Sequence, residues 1–491
     1  MSKPVIIALD WDAFYCSVEE HFDPRLRNVA FAVRQKGIVC TCNYAARALG
    51  VKKLQSLAVA LKTVSDLIVV NGEDLSRYRD ASKELWMFVR KMVWGGKVER
   101  LGLDELFLDV SDMIEYNLEF LRESQYDDFF FRLSRDDETG FSCTSAAVAG
   151  LYATQNMPDL TTEDGLRLIL ASQLCQHVRS RIFTEKGYTS SGGISTGKVL
   201  AKMAGAVHKP NVQTVLDPVF ASEFLKEKDI GCIPGIGRKY RANILNSVYG
   251  SVDDVDASVD AIIRLVDETK LIGLFGDFLG KKIYHLLHGT DTTPVNPTPD
   301  IPTQISIEDT FGSLKTLPDV RSVLHELMTL LYERMQIDLM SFGTWTAHAR
   351  TIRLSLRYRA AAYGVRTSKS DAVPSVIYSA AEKEEIVRAV VNKTLMPLFH
   401  KLVAEPRFDL ALLNVAVVNI EKQPAFAEIT GFLGKRQRVN DETELPKRIE
   451  FETEDGDDED DDEEGYQTCE ICGQRSLRFA VEAHRRFHEP E

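Results

Sequence analysis

The chain has 491 residues, long enough for three or more domains rather than one core. Its composition, 44% hydrophobic and 27% charged, excludes wholesale disorder and a membrane bundle. The net charge of −14 argues against a nucleic-acid partner only until it is located: eleven acidic residues fall between Glu452 and Glu464, leaving −3 for the rest, so local basic surfaces remain available.

In chain order, Val5 to Leu9 reads as a short buried strand, followed by a turn at Asp10 to Asp12 and a helix with Phe14, Val18 and Phe22 at helical spacing. That apolar run is too short for a signal peptide or a membrane span, so a reducing, intracellular setting without a membrane partner is expected. Val98 to Leu101 and Leu106 to Val110 read as strands flanking a turn with Asp104 and Glu105. Glu163 to Phe183 carries an amphipathic helix pattern that stops at Gly187, ahead of SGGIS. Strands alternating with helices predict a mixed α/β protein.

Ile233 to Gly237 reads IPGIG, with Gly235 and Gly237 opening the helical stretch RKYRANIL; such a turn aims backbone N–H groups outward as a phosphate grip. Four prolines between Pro294 and Pro302 mark an extended linker, and a new domain begins near Gln304. It holds a helix, Val320 to Met335, and a strand, RTIRLSLRYR. There Ile352, Leu354, Leu356 and Tyr358 alternate with Arg353, Ser355, Arg357 and Arg359, so one face packs while the other meets either phosphates or plain solvent. Six basic residues and no acidic one lie between Arg350 and Lys369, an electrostatic footprint for DNA.

Asp10, Asp104 and Glu105 sit at strand ends or turns, positions that can converge across one sheet. Three acids packed together repel, and divalent cations relieve that repulsion, the logic of a two-metal site. Alone, DxD and DE pairs are weak signals. The segments around them change the weight. LDWDAFYCSVEE, TCNYAARALGVKK, NGEDLSRYRD, VERLGLDELFLDV, GISTGKVLAKMAGAVHKPN and IPGIG resemble, in this order, the Y-family translesion DNA polymerases, over about residues 4 to 423.

This resemblance implies a right-hand polymerase: palm from residues 1–13 and 75–216, fingers 14–74, thumb 217–293 with a helix-hairpin-helix at IPGIG, linker 294–303 and little finger 304–423. It also implies two Mg²⁺ or Mn²⁺ ions, with Asp10, Asp104 and Glu105 as side-chain ligands and the Trp11 carbonyl as a backbone ligand. Asp12 is assigned a structural role apart from the metal ligands. Tyr15 corresponds to the steric gate against ribose. The backbone N–H groups of Phe14 and Tyr15, with Tyr44, Arg47 and Lys209, match triphosphate-binding positions; the i, i+3 spacing in NYAAR puts Tyr44 and Arg47 on one helix face. Gln35, Lys36 and Leu54 match positions that in a low-fidelity branch narrow the pocket above the templating base, while Ile38, Cys40 and an insertion from Phe129 to Pro158 depart from the pattern. Primer–template DNA and a dNTP are the expected partners, with Gly235, Gly237, Arg353, Arg357 and Arg359 on the DNA and the nucleus as the location.

Residues 424–465 read as an acidic, disordered linker, with an interaction tail as the alternative. Beyond it, Cys469-x2-Cys472-x11-His484-x3-His488 has zinc-finger spacing, predicting one Zn²⁺ in a small ββα-type module over 466–491. The module resembles the ubiquitin-binding fingers of translesion polymerases, which implies ubiquitin or a ubiquitinated sliding clamp as partner; Arg486 departs from the Asp those fingers carry there. Ile429, Phe432 and Leu433 have the spacing of a clamp-binding motif without its leading Gln, which leaves a plain apolar patch equally open, and KRQR fits nuclear import as well. The reading is a template-directed DNA polymerase of low fidelity in translesion synthesis and DNA repair. Accurate lesion bypass, a catalytically silent repair scaffold and a zinc-dependent DNA-binding regulator are the alternatives.

Overall fold

The computed structural model describes residues 3–123, 128–159, 161–361, 365–403 and 407–423, together with the short strands 466–468 and 475–477. The chain divides into two units, Met1–Pro302 and Thr303–Glu491.

The first unit is assembled on β1 (Ile6–Trp11), which runs past the expected strand end, so Asp10 lies within a strand and not in the following turn. Ala13 then adopts a left-handed conformation (φ 46°) and starts α1 (Phe14–Phe22). β2 (Phe31–Gln35), β3 (Ile38–Cys42), α2 (Tyr44–Ala48), α3 (Leu57–Thr63) and β4 (Ile68–Asn71) follow. They make a small three-stranded sheet, ordered β3-β2-β4, over its own core of Ala32, Val39, Cys42, Val51 and Ala60.

The chain returns through α4 (Ser76–Arg90), β5 (Val98–Leu101), β6 (Glu105–Asp109), α5 (Ser111–Glu123), β7 (Asp128–Arg132), β8 (Gly140–Thr144), β9 (Leu151–Tyr152), α6 (Glu163–Lys186), β10 (Ser190–Ser195), α7 (Lys198–Gly205) and β11 (Gln213–Val215). The main sheet is ordered β5-β6-β1-β10-β11-β9, antiparallel from β5 to β10 and parallel beyond. Strand alternation divides β1 cleanly: Ile7, Leu9 and Trp11 enter the main core with Met113, Leu170 and Leu174, whereas Ile6 and Ala8 face Phe107 and Ala201. On that second face α7 crosses very close to β10. A Cβ at Gly193 would stand 1.8 Å from the Ala201 carbonyl oxygen, which is why this strand reads SGGIS.

The insertion begins with an antiparallel hairpin, β7–β8, which sends Phe129 and Phe131 into the main core, and goes on to supply β9, the edge strand of the main sheet. Phe141 lies between Phe131 and the ring of His177 on α6, with centroids 5.1 and 4.1 Å away.

Helices α8 (Ala221–Leu225), α9 (Arg238–Tyr249), α10 (Val259–Leu265), α11 (Glu268–Phe275) and α12 (Asp277–Leu287) enclose a separate core that includes Ile233, Ile236, Ile244, Leu271 and Ile283. The proline-marked segment after them is extended, but it is fastened to the first unit along most of its length. Val295 is buried against Ile6, Ala8 and Phe107, and the Asn296 N–H donates to Glu99 at 2.7 Å. The Thr298 N–H donates to the Val98 carbonyl, Arg100 N–H donates to the Thr298 hydroxyl, and Asp300 pairs with Arg90. The exposed edge of β5 supplies the unpaired backbone groups that make this fastening possible.

The second unit contains β12 (Gln304–Leu314), α13 (Leu317–Leu339), β13 (Met340–Ser341), β14 (Thr344–Trp345), β15 (Ala347–Tyr358), β16 (Thr367–Ala372), α14 (Lys383–Val390), α15 (Met396–Leu402) and β17 (Leu410–Lys422). Its sheet is antiparallel in the order β12-β17-β15-β16. The expected alternation holds for Ile352, Leu354 and Leu356, all fully buried, but a register shift at Arg357/Tyr358 ends it, and Arg359 lies past the strand. Near the C-terminus β18 (Tyr466–Thr468) and β19 (Arg475–Leu477) form an antiparallel pair. Cys469, Cys472, His484, His488 and the Ile429 to Leu433 segment lie outside the described residues.

Candidate active site

Antiparallel register sets Asp10 on β1 directly opposite Glu105 on β6, and opposed residues of such a pair share a face. Asp104 is the last residue of the β5–β6 turn, and its carbonyl accepts the Trp11 N–H at 2.9 Å, which locks the turn to the end of β1. The Trp11 side chain is buried in the core and its N–H is taken by Asp104, so its carbonyl is the one group it can offer this end of the sheet. Burial pushes the Asp104 carboxyl up to about 6, the charges of Asp10 and Glu105 push the same way, and Lys209 opposes them.

Two lysines compensate the other acids. Lys209 pairs with Asp10, and Lys202 reaches Glu105 at 2.6 Å. With Ala8 and Phe107 these four side chains line one recess. The three acids therefore share one end of the sheet without closing into a cage: among the described residues no group of three His, Cys, Asp or Glu side chains is gathered tightly enough to hold a metal ion as it stands. The donors are nevertheless hard carboxylate oxygens with an excess of negative charge, the set that suits Mg²⁺ rather than a softer ion.

Asp12 is buried and turned away from the acids. It accepts the Ser191 hydroxyl at 2.7 Å and the Asn211 N–H at 2.9 Å, binding the end of β10 to the loop that carries Lys209.

Phe14 and Tyr15 occupy the first turn of α1, where backbone N–H groups have no intrahelical partner. The Tyr15 ring is backed by Tyr78, and burial, with the charge of Asp104 adding to it, pushes its phenol up to about 12. On α2, Asn43 caps the helix through the Ala46 N–H, and the Arg47 guanidinium lies 4.4 Å from the Tyr44 ring centre while its Nε holds the Cys42 carbonyl. The phenol of Tyr44 is raised by burial and by the nearby charges of Asp12 and Asp10, which ties this pair to the carboxylate end of the sheet.

In the small sheet, Gln35 donates to the Gly72 carbonyl at 2.9 Å and the Lys36 N–H donates to Glu73 at 3.0 Å. Lys36 and Leu54 both have positive φ, and Leu54 and Ile38 present exposed apolar surface, 72% and 50%.

In the IPGIG turn Ile233 and Ile236 are anchored in the helical core and Gly237 caps α9, with the turn braced by a two-pronged Arg241–Asp229 pair. In the second unit Arg353 and Arg357 lie on the polar face of β15, and Arg353 donates weakly to Gln304 at 3.4 Å. Two of the six basic residues counted in that stretch are neutralised locally, Arg350 by Glu421 and Arg366 by Glu308.

A family model described as "impB/mucB/samB family" matches residues 9–206, and its companion, "impB/mucB/samB family C-terminal domain", matches 302–428, together about two thirds of the chain. The chain belongs to the impB/mucB/samB family. This is the Y-family that the ordered motifs resemble. Among curated relatives of this impB/mucB/samB chain, DNA polymerase iota of Drosophila melanogaster is 29% identical over 88% of it, and the Mus musculus and Homo sapiens proteins of that name are each 30% identical over 86%. The chain spans 56%, 54% and 53% of their respective lengths.

Two residues beside the acids were not among the expected ones. Lys198 and Lys202 stand i, i+4 on α7 and pair with Glu99 and Glu105. The signal was present in GKVLAK, where that spacing puts two ammonium groups on one helix face, but their targets are set by the sheet.

Proposed function

We propose that this chain is a template-directed DNA polymerase that transfers a nucleotide from a dNTP to a primer 3′-hydroxyl, with low fidelity, during bypass of damaged template and DNA repair in the nucleus. The observation that carries this reading is the Asp10–Glu105 register with Asp104 locked beside it, facing a lysine and next to an aromatic-backed tyrosine. The names of the relatives, DNA polymerase iota, support the low-fidelity branch.

Asp10, Asp104, Glu105 and the Trp11 carbonyl would hold two Mg²⁺ or Mn²⁺ ions, which when bound activate the primer hydroxyl and neutralise the triphosphate. Lys209, Tyr44, Arg47 and the free N–H groups of Phe14 and Tyr15 hold the triphosphate against the end of β1. The primer oxygen bonds to the α-phosphorus as pyrophosphate leaves, so no side-chain nucleophile is required. Tyr15 fills the space a ribose 2′-hydroxyl needs. Gln35, Lys36 and Leu54 line the templating-base side and favour a short base-pair width. Gly235, Gly237, Arg353, Arg357 and Arg359 grip DNA through phosphates, without reading bases.

Residues 1–13 and 75–216 serve as palm, 14–74 as fingers, 217–293 as thumb, 294–303 as linker and 304–423 as little finger. The C-terminal module binds one Zn²⁺ through Cys469, Cys472, His484 and His488 and recruits the enzyme to ubiquitin or a ubiquitinated clamp, with Ile429 to Leu433 as a further clamp contact; the β18–β19 pair flanking the two cysteines in sequence supports a ββα module.

Primer extension by the full chain tests the reading. Incorporation that needs Mg²⁺ or Mn²⁺ and disappears in Asp104→Ala is expected; extension at the wild-type rate in that variant excludes the site. Incorporation opposite each of the four template bases separates the low-fidelity reading from accurate bypass, and ubiquitin titration of the full chain with and without a zinc chelator tests recruitment.

A further inference from the structure

Resting on the nucleotidyl-transfer reading, we propose that Arg179 is a positioning residue that, together with Asp12, fixes Lys209 for the incoming triphosphate. Arg179, on α6, is only 7% exposed, and its guanidinium is spent in part on the loop that carries Lys209. Its Nη2 donates to the Asn211 side-chain oxygen at 2.9 Å and its Nε to the Ser190 carbonyl at 2.8 Å. The Asn211 backbone N–H donates in turn to Asp12 Oδ2 at 2.9 Å, so one residue is held from both sides, by a buried cation through its side chain and a buried anion through its main chain. Asn211 has φ +53°, a conformation that leaves little slack in a short loop, and Lys209 stands only two residues before it.

The rest of the shell is equally committed. Arg179 Nη1 is shared between Gln176 and Gln213 at 3.3 Å each. Gln213 is itself fixed by donating to the Ala149 and Ser172 carbonyls at 2.7 and 2.8 Å, and the second Asp12 oxygen accepts from Ser191. Every partner named for Arg179 is a neutral oxygen, and a buried guanidinium held that way gains less than an ion pair would. Replacing Arg179 by methionine would leave those oxygens without their donor at a cost in stability, so the role in positioning has to be read from a property that stability alone does not move. What methionine cannot do is hold Asn211, and through it set where the Lys209 ammonium reaches. That reach matters because a lysine is a flexible point charge whose stem alone does not aim it.

The test is single-nucleotide incorporation by the full chain carrying Arg179→Met, Lys209→Met or both, with Arg179→Lys as the conservative variant. Losing a charge-assisted hydrogen bond that positions the lysine is expected to raise the KM for dNTP about tenfold in Arg179→Met, with kcat changed by less than about threefold. In the Lys209→Met background the same change should add less than about twofold, because both variants remove one interaction. Arg179→Lys should recover part of the loss. Asn211→Gly, which keeps the positive φ and cuts only the side-chain link, should reproduce the KM effect with unchanged melting, and serves if Arg179→Met does not fold. Faster amide exchange at Asn211 in Arg179→Met gives a readout independent of turnover. Full additivity of the two substitutions, or an unchanged KM in both Arg179→Met and Asn211→Gly, overturns the proposal while leaving the polymerase reading intact. A wild-type chain that extends no primer overturns the polymerase reading and this one with it.

Discussion

Tyr15 lies flat against Tyr78, with ring centroids 4.1 Å apart and planes 14° from parallel. The supporting ring is itself fixed, since the Tyr78 hydroxyl donates to Glu19, a buried carboxylate that Arg77 also holds at 2.8 Å. The gate role proposed for Tyr15 needs such backing, because a tyrosine free to change rotamer excludes nothing. Tyr15→Ala is expected to raise ribonucleotide incorporation relative to dNTP by about tenfold, the factor that a loss of about 1.4 kcal/mol of steric discrimination gives. Tyr78→Ala should give a weaker effect in the same direction. Incorporation ratios for matched rNTP and dNTP pairs measure both.

Tyr78→Phe probes the anchor separately. The stacked ring stays, but Glu19 loses one donor in a buried setting, which costs about 1–3 kcal/mol. Chemical denaturation should report that loss, while sugar discrimination changes little.

Asp104 gives a pH signature to the metal-free protein. Its carboxyl is raised to about 6, chiefly by burial and then by Asp10 and Glu105, above the ordinary aspartate value. Below about 4 the group is protonated in both folded and unfolded chains, and between about 4 and 6 the folded chain binds the extra proton. The stability this provides is complete at the acid end and is lost as pH rises through 6. In the presence of EDTA, Asp104→Asn should therefore melt at a higher temperature than wild type at pH 7.5, with the difference shrinking toward pH 4.5.

The two glycines of the IPGIG turn should behave differently. Gly235 has φ +101°, and a Cβ there would meet Leu286 Cδ1 at 3.0 Å, whereas Gly237 has φ −72° and nothing within 4 Å of a Cβ. Gly235→Ala is expected to cost about 1–3 kcal/mol of stability and Gly237→Ala, which only exchanges one N-cap residue for a poorer one, less than about 1 kcal/mol. Thermal unfolding of both variants checks this.

Arg353 is expected to act on DNA as a phosphate contact. Arg353→Gln should weaken binding uniformly across sequences and lower the slope of log affinity against log salt by about 1. A titration series in increasing salt measures the slope.

Much of this site was legible in the residues. The alternation in VIIALDW and ELFLD separates core-facing from site-facing positions, and two such strands paired in register bring Asp10 to Glu105. The end of β1 was misjudged because a strand's length depends on the neighbours it finds, here β10 and β6, which the local pattern does not contain. Alternation alone would leave Asp12, two residues on, on the face of Asp10; it departs from that face because β1 stops at Trp11, and its partners Ser191 and Asn211 lie 179 and 199 residues on, where nothing nearby foretells them. The proline-rich stretch 294–302 carried the composition of a free tether, yet proline only makes a chain extended. Whether it is then held depends on an open sheet edge, and β5 provides one.

The hairpin of the insertion alters what can be trimmed from this protein. Phe129 and Phe131 are structural timbers of the main core, and Phe141 shields His177. A shortened version joining α5 straight to α6 would also strip β9 from the edge of the main sheet and uncover apolar core side chains, so any effort to pare this chain to a minimal scaffold has to leave the hairpin in place or resurface the wall behind it.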